Sequence, residues 1–315
     1  MKIPLLQSSL PTLVHPQMNE IVNDTKKYFK TDVFNISDEN TQLYGDYIST
    51  GALYSSYTYP LGDTEKVKAI SRYYCYWALM DDRFFDNSID LDNITQTNRA
   101  FQAALNEEAG LDKLFFPIVE FCSRTDWTSE AKDIFKREMN RYLKSVQNLR
   151  TIEIQKREVS LEEYLQYRAF DVAMSVIFSL LWHTQSGMPL SPYHNAEFEK
   201  VFEYSGVSIG LLLDLYTLKA RKKEIRDYTH AIRIIQRIEN CDEEEAINEG
   251  IRLFYEYESK LEEEFNRLET KYPIAIHYFR YIQSGSIRYC NESRTIRYLQ
   301  KNDIDKNPVK GRTVL

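Results

Sequence analysis

Glycine and proline are scarce in this sequence, at 10 and 9 of 315 residues. A chain of many short strands needs both at its turns, so the shortage argues against a loop-rich all-β fold. Cysteine is scarcer still. Cys75, Cys122, Cys241 and Cys290 lie far apart, without metal-type spacing. They are expected as free thiols in a reducing compartment. No basic block occurs and the formal charge is −7, which argues against a nucleic-acid partner. Long apolar runs are missing too. The longest, Ala173–Trp182, contains Ser175 and Ser179 and is too short to span a bilayer. The apolar run near the N-terminus is too short for a secretory signal. The expectation is a cytoplasmic protein with no membrane insertion.

What is present is apolar, aromatic and periodic. Hydrophobic residues make up 43%, with 23 tyrosines and 16 phenylalanines, enough for a sizeable core. Apolar residues recur at helical intervals nearly throughout. The pattern predicts helices over His15–Phe29, Thr64–Phe84 (with Thr64 as cap), Asp92–Asn106 and Ser129–Asn148. Ser160-Leu-Glu-Glu163 fits a capping box and opens a helix to about His183. Its stretch Val172–Trp182 is apolar on nearly all sides and is placed inside the bundle. The segment Gln185–Pro192 is a break. Further helices are expected over Glu197–Tyr204, Ser208–Lys219, Glu224–Ile238, Glu243–Thr270 and Ile274–Ser284. No strand-like alternation persists, and no linker or internal repeat appears. The prediction is one all-α domain of roughly ten helices over 1–315, with a loosely held polar tail over 301–315.

One stretch carries chemistry. Residues 77–86 read Trp-Ala-Leu-Met-Asp-Asp-Arg-Phe-Phe-Asp. Asp81, Asp82 and Asp86 end a segment that is otherwise apolar and aromatic. At ~100° per residue, Asp82 and Asp86 fall ~40° apart on one helical face, with Asp81 beside them. Clustered carboxylates of this kind suit a hard cation such as Mg²⁺, which commonly carries a phosphorylated substrate. A solvated helix end followed by a turn fits the same residues.

The chain resembles the class I terpene synthases of the bacterial, amoebal and fungal type. His15-Pro16 with Thr25-Lys-Lys-Tyr-Phe29 is similar to the family's first helix. Asp81-Asp82-Arg-Phe-Phe-Asp86 is similar to its first metal motif. Arg168-Ala-Phe-Asp171-Val172 resembles the diphosphate sensor arginine, its linker aspartate and the helix-break effector. Thr295-Ile-Arg297-Tyr298 resembles the late Arg-Tyr pair that closes on the diphosphate. The resemblance implies a helical bundle around a central aromatic-lined cavity. It implies catalytic roles for Arg168, Asp171, Arg297 and Tyr298, and Mg²⁺ held by Asp81, Asp82 and Asp86. Trp77, Phe84, Phe85 and Val172 are expected to line the cavity, where aromatic faces stabilise a carbocation. Guanidinium groups suit the leaving diphosphate because their fork pairs with two oxygens.

The second metal motif departs from the family pattern, which places Asn or Asp, Ser or Thr, and Glu at steps of four along one helical face. Here the region reads Leu213-Asp214-Leu-Tyr-Thr217-Leu-Lys-Ala-Arg221-Lys222-Lys-Glu224. One register puts Leu213, Thr217 and Arg221 at the ligand positions. Another puts Asp214, Leu218 and Lys222 there, and the spacing to Arg168 and His230 slightly favours it. Neither supplies three oxygens. Asp214 and Thr217 remain the candidate ligands. Arg221 or Lys222 would then supply charge where a third Mg²⁺ would sit, leaving fewer than three ions. The resemblance implies a carbon–oxygen lyase that ionises and cyclises a linear isoprenoid diphosphate. Farnesyl diphosphate is favoured for a single domain of this length, with release of diphosphate and a sesquiterpene hydrocarbon or alcohol. The alternative is an impaired homologue that binds the diphosphate without turnover. Monomer and homodimer both stay open.

Overall fold

The computed structural model describes residues 3–29, 41–81, 85, 90–112, 115–185, 188, 196–218, 226–292 and 304–305. The molecule is all-α. Its helices are α1 (Met18–Tyr28), α2 (Thr41–Thr58), α3 (Thr64–Met80), α4 (Leu91–Leu105), α5 (Phe116–Ser123), α6 (Ser129–Ile154) and α7 (Leu161–Asp171). They continue as α8 (Met174–Ser179), α9 (Leu181–Thr184), α10 (Glu199–Thr217), α11 (Ala231–Glu239), α12 (Glu243–Glu269) and α13 (Pro273–Asn291). Among the described residues the one extended pairing is a parallel bridge, Ile3–Pro4 against Ile304–Asp305. A connected apolar core runs from Ile3 to Cys290. Helix α10 lies in it against α7, α8, α12 and α13, while α2 packs on α1, α3 and α13.

Local chemistry explains the helix ends, and corrects several expectations. The cap of α3 is Asp63, not Thr64; its carboxylate accepts the Lys66 N–H at 3.1 Å. Ser160 caps α7 by accepting the Glu163 N–H at 3.1 Å. The Glu163 carboxylate does not return the bond, because Arg157 draws it away at 2.8 Å. The reciprocal capping box sits instead at α12, between Asp242 and Glu245. His15 does not open α1. Its Nδ1 accepts the Gln17 N–H at 3.1 Å and its Nε2–H donates to the Gly62 carbonyl at 3.0 Å, tying the incoming chain to the turn before α3.

Two differences shape the interior. The helix expected from Ser160 to His183 is broken after Asp171. Ala173 takes φ +59°, a left-handed conformation that costs an alanine ~1–2 kcal/mol. The chain then restarts as α8 and α9. Conversely, the break expected between Tyr204 and Ser208 does not occur, and α10 runs straight through Gly206. That glycine is a contact point: a Cβ there would collide with the Ala169 backbone of α7. Helices α2 and α5, which periodicity did not reveal, are also present. The described part of α2 is buried on nearly every side, so it carries no polar stripe to mark it.

Candidate active site

Seven helices converge on one cavity of about 140 Å³. Helix α3 contributes Tyr74, Trp77, Ala78 and Asp81, spaced three and four residues apart so that they share one face. Thr50 and Tyr54 come from α2, Tyr142 from α6, and Tyr289 and Cys290 from α13. Arg168 and Asp171 end α7, and the broken segment after them supplies Val172 and Ala173. Ile177 of α8, Ile209 and Leu213 of α10, and Arg226 complete the lining.

The wall is aromatic and continuous. Tyr54 lies 5.3 Å from Tyr74 and 4.8 Å from Tyr289 between ring centroids. Tyr74 lies 6.2 Å from Trp77, whose ring meets Tyr142 edge-on at 4.9 Å. The four tyrosine hydroxyls of this wall are all engaged with protein. Tyr142 donates to Asp81 Oδ1 at 2.7 Å, and Tyr289 to Thr50 Oγ1 at 2.9 Å. Tyr54 pairs with Ser286 Oγ at 3.1 Å. Tyr59 donates to the Ile177 carbonyl at 2.6 Å, so the 2.8 Å bond between Tyr74 and Tyr59 has Tyr74 as its donor. Burial raises the Tyr74 and Tyr142 phenols well above their ordinary range, and for Tyr142 the Asp81 charge adds to it. Both therefore remain neutral.

Arg168 is 5% exposed and doubly paired. One guanidinium nitrogen contacts Asp171, and the other donates to Asp214 Oδ1 at 2.9 Å. Burial alone would penalise its charge, but Asp214, Tyr164 and Asp171 outweigh that and raise its pKa further. Gly210 makes this crossing possible, because a Cβ there would sit 2.6 Å from Arg168 Cγ.

The structure sorts the residues singled out by sequence. Asp81, Trp77, Arg168, Asp171 and Val172 meet at the cavity. Phe85 does not line it; it is fully buried against Phe101 at 5.8 Å and Tyr142 at 6.4 Å. Asp214 does not face it either. Its carboxylate is completely buried, with Oδ1 on Arg168 and Oδ2 accepting from Tyr164 and from the Ala231 N–H at 2.9 Å. Thr217 Oγ1 donates to the Leu213 carbonyl at 2.7 Å, outside the cavity lining. Ile209 and Leu213 are what α10 shows to the cavity. Asp82, Phe84, Asp86, Arg221, Lys222, Arg297 and Tyr298 lie outside the described residues. Arg226 was missed, since a single arginine after a lysine-rich run has no sequence signature.

Asp81, half-buried at the end of α3, is the described cavity residue that could ligate a divalent cation. On α10 the candidate oxygens of Asp214 and Thr217 are already bonded to protein. Among the described residues no group of three or more acidic, histidine or cysteine side chains gathers in metal-binding geometry.

The comparisons with known proteins agree with this architecture. No curated protein matches the sequence. An ancestral reconstruction, SVS_A2, has a crystal structure that aligns with TM-score 0.81 at 17% identity, covering 98% of this chain and 96% of that one. Hedycaryol synthase in complex with nerolidol aligns with TM-score 0.76 at 14% identity, over 92% of this chain and 99% of that chain. α-Eudesmol synthase aligns with TM-score 0.74 at 14% identity, over 90% and 97%. At these identities the likeness establishes the fold. The sequence also matches the model of terpene synthase family 2, described by its C-terminal metal binding, over residues 72–259, more than half of the chain. With that match the chain belongs to terpene synthase family 2, among the class I terpene synthases.

Proposed function

We propose that this protein is an active terpene synthase, a single-domain cytoplasmic carbon–oxygen lyase. It would ionise a linear isoprenoid diphosphate, farnesyl diphosphate above all, and release diphosphate with a sesquiterpene hydrocarbon or alcohol. The observation that carries the reading is the placing of Asp81 and Arg168 on one cavity walled by Tyr54, Tyr74, Trp77, Tyr142 and Tyr289. The structural likeness to hedycaryol synthase with bound nerolidol supports the same substrate class. Among the described residues no helix is long and apolar enough to cross a membrane.

Each part has a physical task. The aromatic wall takes the hydrocarbon chain, and its ring faces stabilise positive charge. The phenols' bonds to protein partners fix the direction in which each hydroxyl points. Arg168 stabilises charge that grows on the departing diphosphate, and its fixed pairing with Asp171 and Asp214 means little reorganisation is needed. Asp81, with Asp82 and Asp86, would hold Mg²⁺, which supplies charge neutralisation of the leaving group. Tyr142 orients Asp81 by donating to its Oδ1.

Purified protein incubated with ten-, fifteen- and twenty-carbon diphosphates and Mg²⁺ tests the reading by gas chromatography. A terpene formed from the fifteen-carbon substrate supports it, and no product from any of the three overturns it. The apolar Leu213 on α10 favours a second reading, a homologue that binds diphosphate without turnover. Calorimetric binding alongside a blank chromatogram would select that one.

A further inference from the structure

The phenol protons of the cavity wall are all given to protein. Tyr142 donates to Asp81, Tyr289 to Thr50 and Tyr74 to Tyr59. Tyr54 donates to Ser286, because the Ser286 hydroxyl spends its own proton on the Ile282 carbonyl at 2.8 Å. The wall has one further hydroxyl, that of Thr50 on α2, a residue only 6% exposed. It accepts from Tyr289, and among the described residues its own proton meets no acceptor. Thr25, Thr58 and Thr217 are buried within helices too, and each donates to the carbonyl one turn back, at 2.8, 2.8 and 2.7 Å. Thr50 makes no such bond, so its proton is left for the cavity.

A hydroxyl that accepts on one side and keeps its proton on the other is half of a water site. Thr50 Oγ1 and the Tyr289 phenol oxygen are 2.9 Å apart, and both residues line the cavity. That separation is itself a hydrogen-bond length, so one water can close a ring with the two hydroxyls. Thr50 donates to the water, the water donates to a lone pair of the Tyr289 oxygen, and Tyr289 donates to Thr50. Each oxygen then gives one proton to the ring and takes one. The water keeps a lone pair and a proton turned towards whatever fills the cavity. The Tyr289 ring is fixed against Tyr54 at 4.8 Å between centroids, so the phenol is in place beforehand.

We propose that Thr50 is a specificity-determining residue, whose hydroxyl, with that of Tyr289, holds the water that becomes the oxygen of a terpene alcohol. The proposal rests on the terpene-synthase reading and deepens it by selecting the oxygenated product. The remaining lone pair of the water forms a C–O bond to the carbocation. The oxonium so made breaks one O–H bond, and that proton passes to the released diphosphate. Without the Thr50 donor the water is poorly held, and the cation loses a proton from carbon instead, which gives a hydrocarbon.

The test compares wild type with Thr50→Val, which keeps the side-chain shape and removes the hydroxyl, and with Thr50→Ser, which restores it. With farnesyl diphosphate and Mg²⁺ in H₂¹⁸O, wild type should give an alcohol that carries ¹⁸O. Thr50→Val should lower the ratio of alcohol to hydrocarbon by about fivefold or more, the effect of one hydrogen bond. Thr50→Ser should recover the ratio. Binding is read apart from turnover, by quenching of tryptophan fluorescence. Thr50→Val should weaken binding of nerolidol, an alcohol, by about fivefold, and leave unchanged the binding of farnesene, a hydrocarbon of the same length. Circular dichroism should show each variant folded, and Thr50→Ala replaces Thr50→Val should that one not fold. Hydrocarbon alone from wild type, or an unchanged product ratio in the folded variant, would overturn the role of Thr50 while leaving the enzyme a terpene synthase. No product from any substrate would sink the proposed activity, and the nerolidol comparison would then decide the oxygen site: equal affinity in wild type and Thr50→Val would overturn it.

Discussion

Gly210 leaves the gap through which Arg168 crosses from α7 over α10 to Asp214. A methyl group there would lie 2.6 Å from Arg168 Cγ and 3.3 Å from its Nε. Gly210→Ala should therefore displace the guanidinium while the helices stay in place. The expected cost is ~1–3 kcal/mol of stability from overpacking, with a fall in kcat of about 10-fold or more as Arg168 leaves its aim. Thermal melts and steady-state kinetics on the same preparation check both. Wild-type kinetics in a destabilised variant would show that the aim of Arg168 is not needed.

Asp214 gives a sharper contrast. As the buried partner of Arg168, its loss leaves that buried charge with Asp171 alone. Asp214→Ala should cost ~3–5 kcal/mol and lower the melting temperature in the absence of any metal. Were Asp214 a metal ligand instead, the variant would melt normally in EDTA and need more Mg²⁺ for turnover. Calorimetry in EDTA separates the two.

Asp81→Ala should leave the helical fold intact and lower turnover by about 100-fold or more, since it removes charge-stabilising capacity at the leaving group. Tyr142→Phe should lower turnover less, because Asp81 remains but loses its orienting bond. Product quantified at saturating Mg²⁺ ranks the two. A Tyr142→Phe variant as impaired as Asp81→Ala would make the phenol itself essential.

His183 predicts an acid limb in stability. Its ring is buried, 4.8 Å from Trp127 and 5.6 Å from Phe121 between centroids. Burial, with Arg124 and Lys66 acting the same way, lowers its pKa to about 3 against the pull of Asp126 and Asp63. Between pH 3 and about 6.5 the unfolded chain binds a proton there that the folded chain does not. Stability is then fully present above about pH 6.5 and lost as pH falls, by at most ~1.4 kcal/mol per pH unit from this group. His183→Phe should flatten that limb in urea melts across the window. An unchanged slope would assign the limb to other groups.

The legible parts of this molecule were those whose signal is local. Amphipathic helices such as α6 and α12 show a polar face in the sequence. Asp81 stood out because an apolar helix ended in carboxylates. The pairing of Asp214 was not legible, because its partner Arg168 lies 46 residues away. Helix α2 and Phe85 were misjudged because uniform burial leaves no pattern to distinguish wall from core. The continuity of α10 between Tyr204 and Ser208 was not legible because the use of Gly206, close approach to α7, is tertiary. The bend at Ala173 has no cue of its own in the sequence, since alanine is a good helix former; only the family resemblance pointed there.

The tied phenols carry an evolutionary consequence. Because Thr50, Ser286 and Tyr59 fix where the wall's hydroxyls point, a substitution at Ser286 or Tyr59, neither of which touches the cavity, can release an oxygen into it. A lineage could thus trade a hydrocarbon product for an oxygenated one through its outer layer, with every ring that greets the substrate unchanged.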